Sequence, residues 1–219
     1  MGSIRNRISI PCIAAILAVG VTLGGLLAGY EPVAGDADRM YRPIKSELSR
    51  ALHSGTLPFW SDKFGLGVPL VAESHAAAFY PLNALLYGLL SVNAAYRLAM
   101  WLHYVAVAIG FYAYAKTLKI NRWGSALGAL AFALSGFQNS HAGHEPFYHA
   151  LPYLLLALVL VERYVASGRL FWLGLLVLSW GIQLTLGHFQ IPMWTGGLVL
   201  FVGLWRVVAD RRPWPRALG

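Results

Sequence analysis

Apolar residues in this chain come in runs of roughly 18–22, the length that carries a helix across about 30 Å of hydrocarbon. The first run covers 8–28, and later ones cover 94–115, 123–139, 146–164, 170–186 and 191–208. A water-soluble core cannot absorb them: 58% of the 219 residues are hydrophobic and 12% are charged, about half the charge of an ordinary soluble domain. The pattern predicts an all-α integral membrane protein of about six transmembrane helices, with residues 31–92 as a long loop after the first helix. The net charge of +8 would attract nucleic acid if it formed a stripe, but the bases sit in short gaps between runs. Nucleic acid is therefore not an expected partner; membrane lipid is.

Charge placement also orients the chain. Arg5 and Arg7 precede the first run, Lys116, Lys119 and Arg122 follow the second, Arg163 and Arg169 flank another gap, and Arg206, Arg211, Arg212 and Arg216 close the sequence. Placing all of these in the cytoplasm satisfies the positive-inside bias, with both termini inside. The 31–92 loop, where acids and bases nearly balance, is then extracytoplasmic. The first run exceeds the apolar core of a cleavable signal peptide and reads as an anchor. Cys12 stands alone, so the chain has no internal disulfide.

Within the loop, Pro43 to Ser54 has the spacing of an amphipathic helix through Ile44, Leu48, Ala51 and Leu52, and Gly55 is placed to end it. Residues 76–90 are apolar but short and contain Pro81, which predicts an interfacial or re-entrant segment. Trp60, Phe79 and Tyr80 suit a membrane-interface belt. Most histidines fall on the outer side, with His103 inside a span.

Two carboxylates, Asp36 and Asp38, stand just beyond the first span. Spaced two apart, they can hold a divalent cation or act as a general base, and a solvated loop beside Arg39 and Arg42 is the competing reading. His141, His144 and Glu145 have ligand-like spacing, yet the zinc-protease pattern fails because Tyr148 stands where histidine is needed and Pro146 interrupts the helix. The run Ala133-Leu134-Ser135-Gly136 likewise fails as a serine-protease motif. His188 and Gln190, after Gly187, can donate to phosphate oxygens or serve as polar span-end residues. Arg97 is a phosphate fork or a snorkelling side chain.

The order Gly35-Asp36, Pro43, Ser54-Gly55-Thr56-Leu57-Pro58-Phe59-Trp60, Gly65-Leu66-Gly67-Val68-Pro69 and Ala78-Phe79-Tyr80-Pro81-Leu82-Asn83 resembles the first outer loop of the YfhO-like bacterial membrane proteins. Later elements agree in order: Ser135-Gly136-Phe137, His141-Ala142-Gly143-His144, Glu162-Arg163 and Gly187-His188-Phe189-Gln190. Two details depart from it, with Trp60-Ser61-Asp62 where Trp-Asn-Pro is usual and His75 where glutamine is usual. The resemblance implies a C-type glycosyltransferase fold in the bacterial cytoplasmic membrane, transferring a sugar from a polyprenyl-phosphate donor to an outer glycan or glycopolymer acceptor. It implies Asp36 as catalytic base with Asp38 as fallback, a divalent cation at these two if one is used, and donor or acceptor contacts from His144, His188 and Gln190; Arg97, His141 and Glu145 join them as candidate donor contacts by their place at the outer ends of the spans. YfhO-like proteins run several times longer, so the likeness also implies the N-terminal part of a larger protein. The rival expectation is a non-enzymatic transporter or assembly subunit for lipid-linked sugars or envelope polymers, kept open by His103, Gly110 and Gln183 within spans.

Overall fold

In a computed structural model, residues 9–30 and 36–209 are described. The expected charge flank Arg5 and Arg7, the loop start at 31–35 and the basic C-terminal segment from Asp210 lie outside them. Among the described residues ten α-helices run in order: α1 (Ile10–Thr22), α2 (Gly24–Leu27), α3 (Arg42–His53), α4 (Pro81–Leu89), α5 (Val92–Thr117), α6 (Arg122–Ala133), α7 (Gly136–Ser140), α8 (Glu145–Ser167), α9 (Leu170–Leu184) and α10 (Gln190–Ala209). No strand forms among the described residues beyond one isolated bridge between Ser61 and Val68. Among the described residues three helices, α5, α8 and α10, are long and apolar enough to cross a membrane. The architecture is compatible with an all-α membrane protein.

The helices begin and end where local chemistry directs. α3 closes in a Schellman turn: the Thr56 N–H bonds the Ala51 carbonyl, the Gly55 N–H bonds that of Leu52, and Gly55 takes φ +67°. α5 ends in the same pattern through Ile120 to Ala115 and Lys119 to Lys116, but with Lys119 at φ +62° in the glycine position. Asn121 then caps α6 by accepting from the N–H groups of Trp123 and Gly124. The apolar run 123–139 is not one helix. It stops at Leu134, and Ser135 caps the short α7 by accepting from the Gln138 N–H. α6 alone, 12 residues, extends only about 18 Å.

The core joins α1, α5, α6 and α8 through Val19, Tyr104, Val107, Ala129, Ala133, Leu151 and Leu155. Contacts are close: a Cβ at Gly128 would fall 2.6 Å from the Phe111 ring, and one at Gly110 would meet Leu155 at 3.0 Å. α9 and α10 lean on α8 through Leu160, Val161, Leu176 and Val199, leaving Val177, Leu184, Leu200, Phe201, Leu204 and Val208 exposed. Apolar flanks of that extent suit lipid as surrounding solvent.

α3 and α4 gather at one end of the bundle, against the start of α5, through Leu48, Leu86, Tyr87, Ala95 and Ala99. α4 has 9 residues and reaches only about 14 Å. The turn at Ser74–Ala76 presses on the α9–α10 connection, where Gly187 has φ +95° and a Cβ would lie 2.3 Å from the Ser74 carbonyl oxygen. Gly187→Ala is expected to lower unfolding free energy by about 2–4 kcal/mol, combining a left-handed backbone with overpacking. Gly174→Ala, which meets nothing within 4 Å, should leave it unchanged or slightly raised; denaturant unfolding in nanodiscs separates the two.

Candidate functional site

The site forms where the loop meets the first turns of α8 and α10, and a buried charge pair underlies it. Lys45 leaves α3 on the same side as Leu48 and is only 1% exposed. Its Nζ lies 3.0 Å from Glu145 Oε1 and donates to the carbonyls of Ala76 at 2.9 Å and His75 at 3.2 Å. Burial pushes the Lys45 ammonium below its usual range, against the opposing pull of Glu145. Glu145, 2% exposed, also lies 3.4 Å from His149 Nδ1. Glu145, which the sequence places among donor contacts, thus stands beneath the surface and fixes α8 to the loop.

Above this pair, the first turn after residue 35 is a wide π-type turn (Ala37–Tyr41) that runs into α3. It brings Asp36 Oδ2 to 3.2 Å from Nε2 of His144, the residue that caps α8. Both side chains are about half exposed, at 51% and 43%. Asp38 points elsewhere: its carboxylate pairs with Arg42 Nε at 3.2 Å, and the Arg42 guanidinium lies over the Tyr96 ring. The two carboxylates therefore do not converge, and no group of three or more His, Cys, Asp or Glu among the described residues is arranged to hold a metal.

Histidines complete the rim. His75 Nδ1 lies 2.6 Å from Glu73 Oε1, and its ring stands 5.8 Å from Tyr41 and 6.2 Å from His188. Burial opposes ionisation of Glu73, but bonds from the His75 side chain and backbone outweigh it and hold that carboxyl below the usual range. The Tyr41 phenol is pushed up to about 12 by burial and by the nearby Asp36 and Glu145 charges. His188 Nδ1 accepts from the Gln190 N–H at 3.2 Å, so in the neutral ring Nε2 carries the proton and is available as a donor. Gln190 acts here through its backbone. Phe147 links the set, 5.0 Å from His188, 6.1 Å from His144 and 4.9 Å from His141. His141 donates from Nδ1 to the Phe137 carbonyl. Arg97 occupies the second turn of α5 at this end of the bundle, half-buried.

Asp36, His141, His144, His188 and Gln190 are thus brought to one rim. Sequence reasoning missed Lys45, Tyr41 and Phe147 as members and placed His75 only among the histidines of the outer face. A signal existed for Lys45, since positions 45, 48 and 52 share one helical side. A carboxylate held by one imidazole, beside a second imidazole with a free N–H, can accept a proton on one side and donate to an anion on the other. Comparison of the chain with family models, curated proteins and solved structures gives no match.

Lys45→Met would leave the buried Glu145 carboxyl without its partner, and is expected to cost about 3–5 kcal/mol of stability. Adding Glu145→Gln should restore most of it, as measured by chemical unfolding of single and double variants. The His188 imidazole is held below its ordinary range by burial and by His75 and His144. Its contribution to stability is complete above about pH 6.5, the unfolded value. It is lost as pH falls through the lower folded value, because the unfolded chain binds the proton first. Unfolding curves at pH 7.5 and pH 5 should therefore differ more for the wild type than for His188→Gln.

Proposed function

We propose that this chain is the N-terminal, six-span portion of a membrane glycosyltransferase, similar to the YfhO-like proteins, that takes sugar from a polyprenyl-phosphate donor outside the bacterial cytoplasmic membrane. The observation that carries the reading is the Asp36–His144 pair, 3.2 Å apart on a rim shared with His75 and His188. In this reading α1, α6 with α7, and α9 complete the spans, the termini are cytoplasmic, and the loop end is the outer face. Eleven bases in the inner segments support that orientation.

The proposed reaction uses the two sides of the rim. Asp36 accepts the proton of an acceptor hydroxyl as that oxygen bonds the anomeric carbon of the donor. The bond from that carbon to the phosphate oxygen breaks, and its electron pair leaves on the polyprenyl phosphate. His144 Nε2–H orients Asp36, leaving the other carboxylate oxygen for the acceptor. His188 Nε2–H and Arg97 stabilise the departing phosphate by hydrogen bond and charge.

Asp36→Asn in the full-length protein, reconstituted with radiolabelled polyprenyl-phosphate sugars, is expected to slow transfer by roughly 10²–10⁴-fold. Transfer at the wild-type rate would remove the proposed base. A second reading, a transporter for lipid-linked sugars, is favoured by one observation: His103 and His149 lie stacked and buried inside the bundle. Flux of the labelled lipid across liposomes without any sugar transfer would select it.

A further inference from the structure

Deeper along the helices, the same end of the bundle holds a hydrogen-bonded chain whose direction can be read. His103 Nδ1 donates to the Ala99 carbonyl at 2.6 Å, so the neutral ring keeps a lone pair on Nε2. The Tyr80 hydroxyl, 2.9 Å from that nitrogen, must then be the donor to it. With its one hydrogen committed, the Tyr80 oxygen accepts from the Tyr153 hydroxyl at 3.0 Å. Tyr153 has likewise spent its hydrogen. What remains at the end of the chain is an acceptor oxygen on a half-buried side chain.

Tyr153 lines a cavity of about 370 Å³, together with Tyr80 and His103 and with Leu82, Leu102 and Leu156. The size falls in the range of small-molecule sites, roughly 300–1,000 Å³. The cavity opens on the flank of α8, where Leu156 is 41% exposed. Tyr153 stands eight residues past Glu145 and His103 eleven past Val92, about 12 Å and 17 Å along their helices. If α5 and α8 cross a membrane, that depth is hydrocarbon.

We propose that this cavity binds a membrane-dissolved long-chain alcohol, whose hydroxyl donates to the Tyr153 oxygen while its hydrocarbon lies against Leu82, Leu102 and Leu156. The polarity of the chain selects the class. A ketone, ester or ether offers only acceptors and would face an acceptor. A carboxylate or phosphate would need a cation, and no lining residue supplies one. A lipid alcohol supplies the missing donor and satisfies its own hydroxyl in a place without water, where that bond is strong. The inference rests on a membrane location for α5 and α8 and is independent of sugar transfer.

The test is photolabelling of the protein in phosphatidylcholine nanodiscs with a diazirine-bearing hexadecanol and with its methyl ether. The alcohol should label α5 and α8 peptides containing Leu102 and Leu156 roughly five- to tenfold more than the ether, as expected for one hydrogen bond. Tyr153→Phe should lower alcohol labelling to the ether level, and Leu156→Trp should abolish both by filling the space. Equal labelling by alcohol and ether in the wild type overturns the proposal, as does alcohol labelling that survives Tyr153→Phe unchanged. The Tyr153→Phe comparison decides the matter even if the bulkier variant fails to fold.

Discussion

The loop end of this molecule depends on the Lys45–Glu145 ion pair. Two opposite charges out of water cost several kcal/mol each unless each finds good partners. Lys45 finds Glu145 and two carbonyls, those of His75 and Ala76. One side chain on α3 thereby fixes the Ser74–Ala76 turn and the first residue of α8 together. Apolar contacts alone would be less specific, because Ile44, Leu48 and Leu70 could slide past their neighbours at little cost. A buried charge tolerates only the register in which it is neutralised.

The exposed rim inherits its geometry from that register. His75 lies within the turn that Lys45 holds, and His144 is the residue before Glu145, so two of the rim's imidazoles are adjacent in sequence to groups the pair fixes. His188 is placed from a third direction, by Gly187 pressed against the Ser74 carbonyl. The result separates rigidity from exposure: the fixed charges are buried, while Asp36 and His144 above them are half open to solvent and free to exchange partners. The proton transfer proposed for this rim would draw on both.

The fold was legible where a single period or residue type governs. The apolar runs mark α5, α8 and α10, and the spacing of Ile44, Leu48 and Ala51, followed by Gly55, marks α3 and its end. What sequence could not display was the competition of local caps with hydropathy. The run 123–139 is apolar enough to read as one span, yet Ser135 offers a side-chain acceptor to the Gln138 N–H and starts a new helix. Lys119 in a left-handed turn was equally hidden, since glycine is the usual mark of that position. For the site, Asp36, His144 and His188 were recognisable because polar residues at span ends are few. Lys45 carried only the weak signal of sharing a helical side with Leu48 and Leu52, because a lysine on an amphipathic helix is ordinarily solvated. Its role arises from Glu145, a hundred residues further along.

The break between α6 and α7 also shows how an apolar helical bundle accommodates irregular backbone. In hydrocarbon an unpaired peptide group costs several kcal/mol, so a helix interruption persists only where other groups satisfy it. Here the Asn139 side chain donates to the Leu134 carbonyl, the Ser135 N–H bonds the Phe132 carbonyl, and the Tyr104 hydroxyl donates to the Gln138 carbonyl. Those partners come from α5 as well as from the broken segment. The interruption is therefore a property of the packed bundle, and it turns the chain into the short α7 that leads to His141 and His144.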